Sequence, residues 1–590
     1  AARHGEPGLV LISGEPGIGK TRLAAHLAAS AHDDGSIVLY GRSEQELDVP
    51  FRPWAESVDQ LVAGAPAGLL DDVADWGADL GRLVPSVGSP PPSGGDPDSE
   101  RLRLFTSVSE LLRRAGAEAP VMLVLDDLHW ADESSLLLLR HVVRHRRDAR
   151  LLVVGTYRDT DLARTHPLAA VLADLRREAA IERIDLGGLD QDEVNEFLNR
   201  AADGAADPDD VEALAATVWS ETEGNPFFIG EVINHLVDSG ALVQRQGQWQ
   251  GDEGLIDQIG LPEGIREVVG RRLAELSGDA DEILRAAAVI GPAFDASVVA
   301  SVLDTDVDAV VTTLDDAVRR RLLVEDDERL DRFRFVHALV RTTLLEEIRT
   351  SRRVRLHHRI GLALEQTGAG APDLAHHFGE AAVLADADKA VEYSVRAAEE
   401  ATERFAFEQS VRFRRMAVEA VELLPSPDDA LRAEMLTALG EARNQAGDAL
   451  GGRTDYLAAA SAARASGRAD LLAQAAYGYG GDGAHRLDLA DADGPALLDE
   501  ALEALPQEPS IERARCLAKR SEWRAYDTDA TERMRQAEAA VAVADDVGDP
   551  STLWWALRAH GDALADALEP VELRRAADRL IVEFVPGIDD

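Results

Sequence analysis

Gly14-Glu15-Pro16-Gly17-Ile18-Gly19-Lys20-Thr21 decides the fold of the first part of this chain. The apolar run at residues 9–12 predicts a buried strand before it, and the Ala- and Leu-rich run at residues 21–29 predicts a helix after it. The stretch matches G-x-x-x-x-G-K-[ST], which in a strand–loop–helix setting is typical of a loop that binds phosphate. A glycine-rich turn that precedes a lysine by chance is the alternative.

The residue types of this loop suit a nucleotide. Its three glycines let the backbone turn tightly, so that several N–H groups point to one place, where the helix dipole also favours negative charge. Lys20 adds a charge for the β- and γ-phosphates, and the Thr21 hydroxyl is placed to bind Mg²⁺. We therefore predict ATP or ADP with Mg²⁺ as cofactors, held by Gly14, Glu15, Pro16, Gly17, Ile18, Gly19, Lys20, Thr21 and Arg22.

Composition limits the class of protein. A chain of 590 residues is too long for one core, so several domains are expected. It carries 108 acidic and 61 basic residues, a net charge of -47 that disfavours nucleic acid and anionic membranes as partners of the bulk surface. The single cysteine, Cys516, cannot form an internal disulfide, and no apolar run is long enough to span a membrane. We expect a cytoplasmic protein without a membrane partner.

The order of apolar runs predicts a multidomain chain. Residues 1–186 read as an α/β P-loop NTPase domain with a parallel sheet, and residues 187–260 as a helical domain. Residues 261–350 combine short helices with a hairpin, as in a winged helix. Residues 351–590 predict an all-α tetratricopeptide-like solenoid with a repeat near ~34 residues, and a plain helical bundle is the alternative. The predicted strands of the first domain are 9–13, 37–41, 121–126, 151–156 and 181–186.

Two later stretches complete the predicted nucleotide site. The apolar run at residues 121–125 ends in Asp126 and Asp127, so Asp126 would hold Mg²⁺ through water and Asp127 would polarise an attacking water as a general base. The alternative is a strand followed by a helix cap. The next predicted strand leads to Arg158, which would lie near the γ-phosphate and distinguish ATP from ADP. Pairing of Arg158 with a neighbouring aspartate is the alternative. We predict Lys20, Asp127 and Arg158 as catalytic residues, and Thr21 and Asp126 as metal ligands.

Together these motifs resemble the STAND-type signalling ATPases, and within them the large ATP-dependent bacterial regulators of the LuxR type. The resemblance covers roughly residues 1–350. The remainder of the chain resembles the family only in its helical character. It rests on the phosphate loop, on Gly41-Arg42 followed by Pro50-Phe51-Arg52-Pro53-Trp54, on V-L-D-D-L-H-W-A-D at residues 124–132, on residues 155–159 and on Gly224-Asn225-Pro226-Phe227-Phe228.

The resemblance implies a switch, in which the ATPase, helical and winged-helix domains close around ADP and open on exchange for ATP. By motif, Pro226 is similar to the helical-domain proline that packs near adenine. His337 is similar to the winged-helix histidine that reaches the β-phosphate of ADP, although a lone histidine is often only structural. The solenoid would bind a protein or small-molecule inducer, and ATP would allow a homo-oligomer to form.

The chain also departs from the family, since the adenine-seating segment before the first strand and a recognisable effector domain are missing. We expect a fragment whose effector domain lies outside it. The favoured function is a slow, Mg²⁺-dependent ATPase switch of a transcriptional regulator. A nucleotide-gated scaffold and the sensory part of a nucleotide cyclase are the alternatives. A small-molecule phosphotransferase and direct DNA binding by the winged helix fit less well, because no lid or acceptor pocket is evident and the surroundings are acidic.

Overall fold

A five-stranded parallel sheet organises the N-terminal region. The computed structural model describes residues 8–566, 575, 576 and 579, except 45–48, 66–67, 72, 92–95, 146–148, 160–161, 163–165, 176–180, 203–207, 239, 246–247, 252–277, 321, 327–328, 337, 427, 482–492 and 524–529. The strand order is β2-β3-β4-β1-β5. The strands are β1 (Gly8–Ser13), β2 (Ile37–Arg42), β3 (Val121–Asp126), β4 (Leu151–Thr156) and β5 (Ile181–Asp185), which confirms all five predicted strands.

Helices cover this sheet and connect its strands. They are α1 (Lys20–Asp33), α2 (Arg52–Ala63), α3 (Val73–Trp76), α4 (Pro97–Glu118), α5 (Glu133–His145) and α6 (Pro167–Leu175), with short 3-10 turns at Ala78–Arg82, Pro85–Val87 and Leu128–Trp130. β3 is buried at all six positions, as expected for a central strand that is covered on both faces. Parallel pairing brings the carboxyl ends of β1, β3 and β4 to one edge, where the phosphate loop begins.

The next region is mainly helical. Its elements are α7 (Gln191–Ala201), α8 (Pro208–Thr222), α9 (Pro226–Asp238), β6 (Leu242–Arg245) and β7 (Gln248–Gly251). Asp190 starts α7 with a capping box, because its side chain accepts from Glu193 N–H while the Glu193 side chain accepts from Asp190 N–H. β6 and β7 form an antiparallel hairpin, which the sequence analysis did not predict.

Residues 278–381 combine helices with a small antiparallel sheet. The helices are α10 (Gly278–Ile290), α11 (Ala296–Leu303), α12 (Val307–Arg319), α13 (Ala338–Glu347), α14 (Thr350–Thr367) and α15 (Ala371–Ala381). The sheet has the order β8-β10-β9, with β8 (Ala293–Asp295), β9 (Leu323–Glu325) and β10 (Arg332–Phe335). β9 and β10 are the predicted hairpin, and β8 adds a strand to it that was not predicted. One apolar core extends from α10 to α14.

An array of helical pairs follows, which confirms the all-α prediction. Its helices are α16 (Ala387–Glu403), α17 (Phe407–Val421), α18 (Asp429–Gln445), α19 (Ala449–Ser466), α20 (Ala469–Tyr479), α21 (Asp493–Ala504), α22 (Ile511–Trp523), α23 (Ala530–Val547) and α24 (Pro550–Asp566). Successive pairs begin at residues 387, 429, 469 and 511, so the repeat spans 40 to 42 residues. The predicted repeat of about 34 residues is therefore wrong. The physical reason is helix length, since α18 and α19 have 17 and 18 residues. Among the described helices, none is long and apolar enough to cross a bilayer.

The chain forms two compact units whose boundary is not a single point in the sequence. Residues 1–386 and 403–409 make up the first unit, and residues 387–402 and 410–590 the second. The short segment 403–409 belongs to the first unit through specific contacts. Glu408 accepts hydrogen bonds from Arg101 at 2.9 Å and from Ser134 at 2.8 Å, and the Arg82 guanidinium lies 4.4 Å from the centre of the Phe405 ring.

We predict that Gly41→Ala destabilises the protein, because a Cβ at Gly41 would lie 1.9 Å from the Pro53 carbonyl oxygen, where β2 meets α2. Such overpacking costs about 1–3 kcal/mol. The control is Gly230→Ala in α9, where a Cβ meets nothing within 4 Å and the gain in helix propensity stabilises by about 0.5–1 kcal/mol. Thermal denaturation followed by circular dichroism measures both. An unchanged midpoint in Gly41→Ala would contradict the packing described here.

Candidate functional site

The phosphate loop joins β1 to α1 in the expected conformation. Gly14, Gly17 and Gly19 have φ values of 145°, 81° and 106°, which L side chains rarely adopt. Lys20 is buried and its ammonium donates to the carbonyl oxygens of Gly14 at 2.9 Å and Glu15 at 2.8 Å. The loop therefore positions the lysine charge among its own backbone groups, where a bound phosphate would also lie.

Asp126 is the centre of a hydrogen-bond network at the end of β3. Its carboxylate is fully buried and accepts from three hydroxyl groups. Thr21 Oγ1 lies 3.0 Å from both oxygens, Thr156 Oγ1 lies 2.5 Å from Oδ1, and the Tyr40 hydroxyl lies 2.9 Å from Oδ2. Burial and the adjacent carboxylate raise the pKa of Tyr40, which keeps its hydroxyl a donor. The structure thus brings the two predicted metal ligands, Thr21 and Asp126, into direct contact.

Asp127 follows in a different environment. Its φ of 57° is left-handed, and its N–H donates to Thr156 Oγ1 at 2.9 Å. One carboxylate oxygen lies 3.1 Å from the Arg42 guanidinium. Burial, followed by the charge of Asp126, raises the pKa of Asp127, while Arg42 and Arg158 act in the opposite direction. A carboxylate with a raised pKa is suited to accept a proton from water.

Arg158 and His129 lie beside this pair of carboxylates. The Arg158 guanidinium lies 4.6 Å from the centre of the Trp130 ring, and its charge lowers the pKa of Asp127 and of His129. Burial, followed by that charge, lowers the pKa of His129 to about 3, so its imidazole is neutral at physiological pH. The predicted catalytic residues Lys20, Asp127 and Arg158 therefore share one site.

The donor set suits Mg²⁺ and phosphate. Hydroxyl and carboxylate oxygens are the ligands that Mg²⁺ prefers in proteins, and Thr21 and Asp126 supply them at the mouth of the loop. The guanidinium and ammonium groups of Arg158 and Lys20 match the negative charge of a triphosphate.

The Gly224–Phe228 motif reaches the phosphate loop. Asn225 is buried and its amide donates to the Pro16 carbonyl oxygen at 3.1 Å, while its side-chain oxygen accepts from Phe227 N–H at 3.1 Å. A Cβ at Gly17 would lie 2.8 Å from Phe227 Cβ, so the glycine is required for this approach. Pro226 is the first residue of α9, next to these contacts, and its predicted place near adenine stays a prediction. His337 lies outside the described residues.

Sequence reasoning missed several residues of the site. They are Tyr40, Thr156, His129, Asn225 and the ion pair of Arg42 with Asp127. Most of them follow or end a strand, or stand within a quoted motif. The signal that could have found Thr156 is its place as the last residue of β4, since parallel strands present their carboxyl ends together.

Comparison with known protein families supports a P-loop ATPase domain in the N-terminal part of the chain. Residues 1–154 match the AAA ATPase domain family. The N-terminal part of the chain is therefore an AAA-type ATPase domain, a class of domain that binds nucleotide.

Similar chains cover more of the sequence. An uncharacterized protein of Rhizobium meliloti (strain 1021) is 25% identical over 489 residues, which are 74% of this chain and 43% of the relative. This chain thus spans less than half the length of that relative. Among solved structures, a Signal Transduction ATPase with Numerous Domains (STAND) protein with a tetratricopeptide repeat sensor from Pyrococcus horikoshii has a TM-score of 0.42 and 12% identity, covering 99% of this chain and 81% of that chain. The Walker-type ATPase of Pyrococcus abyssi has a TM-score of 0.27 and 15% identity, covering 57% and 90%.

We predict that Asp127→Asn stabilises the nucleotide-free protein at pH 8. Because burial raises the pKa of Asp127 in the folded chain, its carboxyl contributes stability that is present below the unfolded pKa of about 3.9. That stability is lost as pH rises through the folded value. An amide does not ionise, so the stability of the variant relative to the wild type should increase as pH rises.

Thermal midpoints between pH 5 and pH 8 measure this difference. Asp388→Asn, on the exposed side of α16, is the control. A difference that stays constant over this pH range, or a variant that is less stable at pH 8, would contradict the assignment.

Proposed function

We propose that this chain is an ATP-dependent signalling switch of the STAND type, which binds ATP or ADP with Mg²⁺ and hydrolyses ATP slowly. The observation that carries the proposal is the contact of Asn225 with the phosphate loop. Through it, the loop that would hold the phosphates touches the helical region that follows the ATPase domain.

The proposed roles follow from the geometry. Lys20 and the loop N–H groups hold the β- and γ-phosphates, and Thr21 with Asp126 holds Mg²⁺, which when bound neutralises phosphate charge. Asp127 orients a water and accepts its proton, and Arg42 fixes that carboxylate from one side. Arg158 contacts the γ-phosphate and so responds to the difference between ATP and ADP.

The turn through which the helical region contacts the phosphate loop leaves no room for a side chain at Gly224. Leu189 N–H donates to the Gly224 carbonyl at 2.8 Å, and a Cβ at Gly224 would lie 1.9 Å from the Leu189 carbonyl oxygen. The turn before α9 is thus packed against the start of this region on one side and joined to Pro16 on the other. A shift of the loop between ATP and ADP states would move α9 with it. Such a differential contact is what allows a ligand to bias a conformational equilibrium.

The remaining regions receive proposed roles from the same scheme. Helices α10–α12 with the β8-β10-β9 sheet fit a winged helix, which we propose closes on ADP through His337. The helical array would bind an inducer or a protein partner, and ATP would favour a homo-oligomer. We further propose that the chain serves a LuxR-type transcriptional regulator whose effector domain lies outside it.

Two substitutions test the ATPase. We predict that Lys20→Ala weakens ATP binding about 10- to 100-fold, because it removes a charged hydrogen-bond donor. Asp127→Asn should retain ATP binding and lose hydrolysis by about 10²- to 10⁴-fold, because it removes the general base. Fluorescent-nucleotide titration and phosphate release measure the two effects. Lys389→Ala, in α16, is the matched lysine control.

The outcomes separate the candidate functions. Unchanged hydrolysis in Asp127→Asn would exclude Asp127 as the base. Signalling that no longer resets in this variant, with ATP still bound, supports the switch. If signalling is unaffected, turnover is incidental and the chain is a nucleotide-gated scaffold.

We predict that Asn225→Ala uncouples the helical region from the nucleotide. The variant loses the bond to Pro16, so differences between the ATP and ADP states in hydrogen exchange of residues 187–238 should disappear. The matched control is Asn199→Ala in α7, whose amide donates to Asn195 within its own helix. Persistence of the nucleotide-dependent difference in Asn225→Ala would rule out this route.

A further inference from the structure

Three histidines meet where α14 packs against α15. His357 lies on α14, and His376 and His377 lie on α15. One ring nitrogen from each lies within 4.8 Å of the other two. His357 and His377 are 6% and 2% exposed, whereas His376 is half-buried. The cluster belongs entirely to the first compact unit.

The spacing of the nitrogens suits a small transition-metal ion. Nδ1 of His357 lies 2.9 Å from Nδ1 of His377. Nitrogens bound tetrahedrally to zinc at about 2.0–2.1 Å lie roughly 3.3 Å from one another. The observed pair is therefore a few tenths of an ångström from the required separation, which small side-chain rotations can supply.

The second ring nitrogen of His377 has the partner that a metal ligand usually has. The His377 ring makes a hydrogen bond to the backbone of Ile290. Ile290 is the last residue of α10, where the N–H is used within the helix and the carbonyl oxygen is available as acceptor. Because Nδ1 faces His357, Nε2 is the nitrogen that donates to this carbonyl. Donation of one ring N–H to a backbone carbonyl fixes the tautomer and directs the other nitrogen's lone pair at a metal.

A carboxylate stands on the same helix as two of the histidines. Asp373 lies one turn before His377 on α15. Its Oδ1 is buried and has no hydrogen-bond partner among the described residues.

We propose that His357, His376 and His377 bind a divalent transition-metal ion of the zinc class, with the Asp373 carboxylate balancing its charge. Three imidazoles form a donor set typical of Zn²⁺ sites. The ion would join α14 to α15, and through the Ile290 carbonyl it would be held against the end of α10. The same two helices already approach closely, since a Cβ at Gly361 would lie 2.9 Å from the Phe378 ring. The metal would lock this helix pair as a structural site.

Zinc binding by the full chain tests the proposal. After treatment with EDTA, the protein is titrated with ZnCl₂ in excess MgCl₂, which occupies the nucleotide site and the acidic surface. One zinc per chain and a higher thermal midpoint are expected. His376→Gln should lower the affinity at least about 100-fold, because it removes a direct ligand and even outer-shell changes cost 10- to 100-fold. Co²⁺ in place of zinc should give visible absorption bands in the wild type that His376→Gln lacks.

His358→Gln is the matched control, since it is adjacent to His357 on α14 but contacts Asp386 at 2.6 Å instead of the cluster. It should bind zinc as the wild type does. His376→Gln is the decisive variant because its side chain is half-buried and can be replaced without opening the core. Zinc affinity that is unchanged in His376→Gln, or a wild type that takes up no zinc at micromolar concentration, would overturn the proposal. The two Nδ1 atoms would then form only a hydrogen-bonded pair.

Discussion

The candidate nucleotide site depends on one buried carboxyl group, that of Asp126. A buried polar group is costly unless it is hydrogen-bonded, and here hydroxyl groups from α1, β2 and β4 supply those bonds. These donors converge only because the strands are parallel and in one register, with Arg42 opposite Asp126 and Ile12 opposite Thr156. A shift of one residue between β3 and β4 would turn Thr156 away and leave the carboxylate unsatisfied. The strand register that forms the sheet is therefore also required for the hydrogen bonds to Asp126.

A balance of opposite charges surrounds this carboxylate. Asp127 adds a second carboxyl group, whose pKa is raised by burial and lowered by Arg42 and Arg158. The Lys20 ammonium donates to the carbonyl oxygens of the loop. His129 stays neutral in the same surroundings because it is buried and because Arg158 and Lys20 would repel a further cation. A triphosphate would thus enter a site whose positive groups are already held in place, and the reorganisation needed on binding is small.

Features formed by residues adjacent in the sequence were predicted, whereas several formed by residues distant in the sequence were missed. The phosphate loop and the Asp126–Asp127 pair stand within single motifs, so their chemistry was evident from adjacent residues. Thr156 and Tyr40 act on Asp126 across 30 and 86 positions, and only the strand order brings them there. The repeat length was mispredicted because an Ala-rich amphipathic pattern defines helices but not where each ends. The three histidines are similarly non-local, since His357 and His377 are 20 positions apart and meet through the packing of two helices.

The short segment 403–409 limits how far the helical array can be exchanged as a separate module. The chain leaves the first compact unit after residue 386, returns to it for seven residues, and leaves again after residue 409. Glu408 and Phe405 are therefore encoded within the helical array, although their partners Arg101 and Arg82 are encoded within the ATPase domain. Recombination at a single gene position cannot exchange the array as a cassette without also exchanging these contacts. A substitution at Glu408 or Phe405 therefore needs a matching partner at Arg101 or Arg82 for these contacts to be kept.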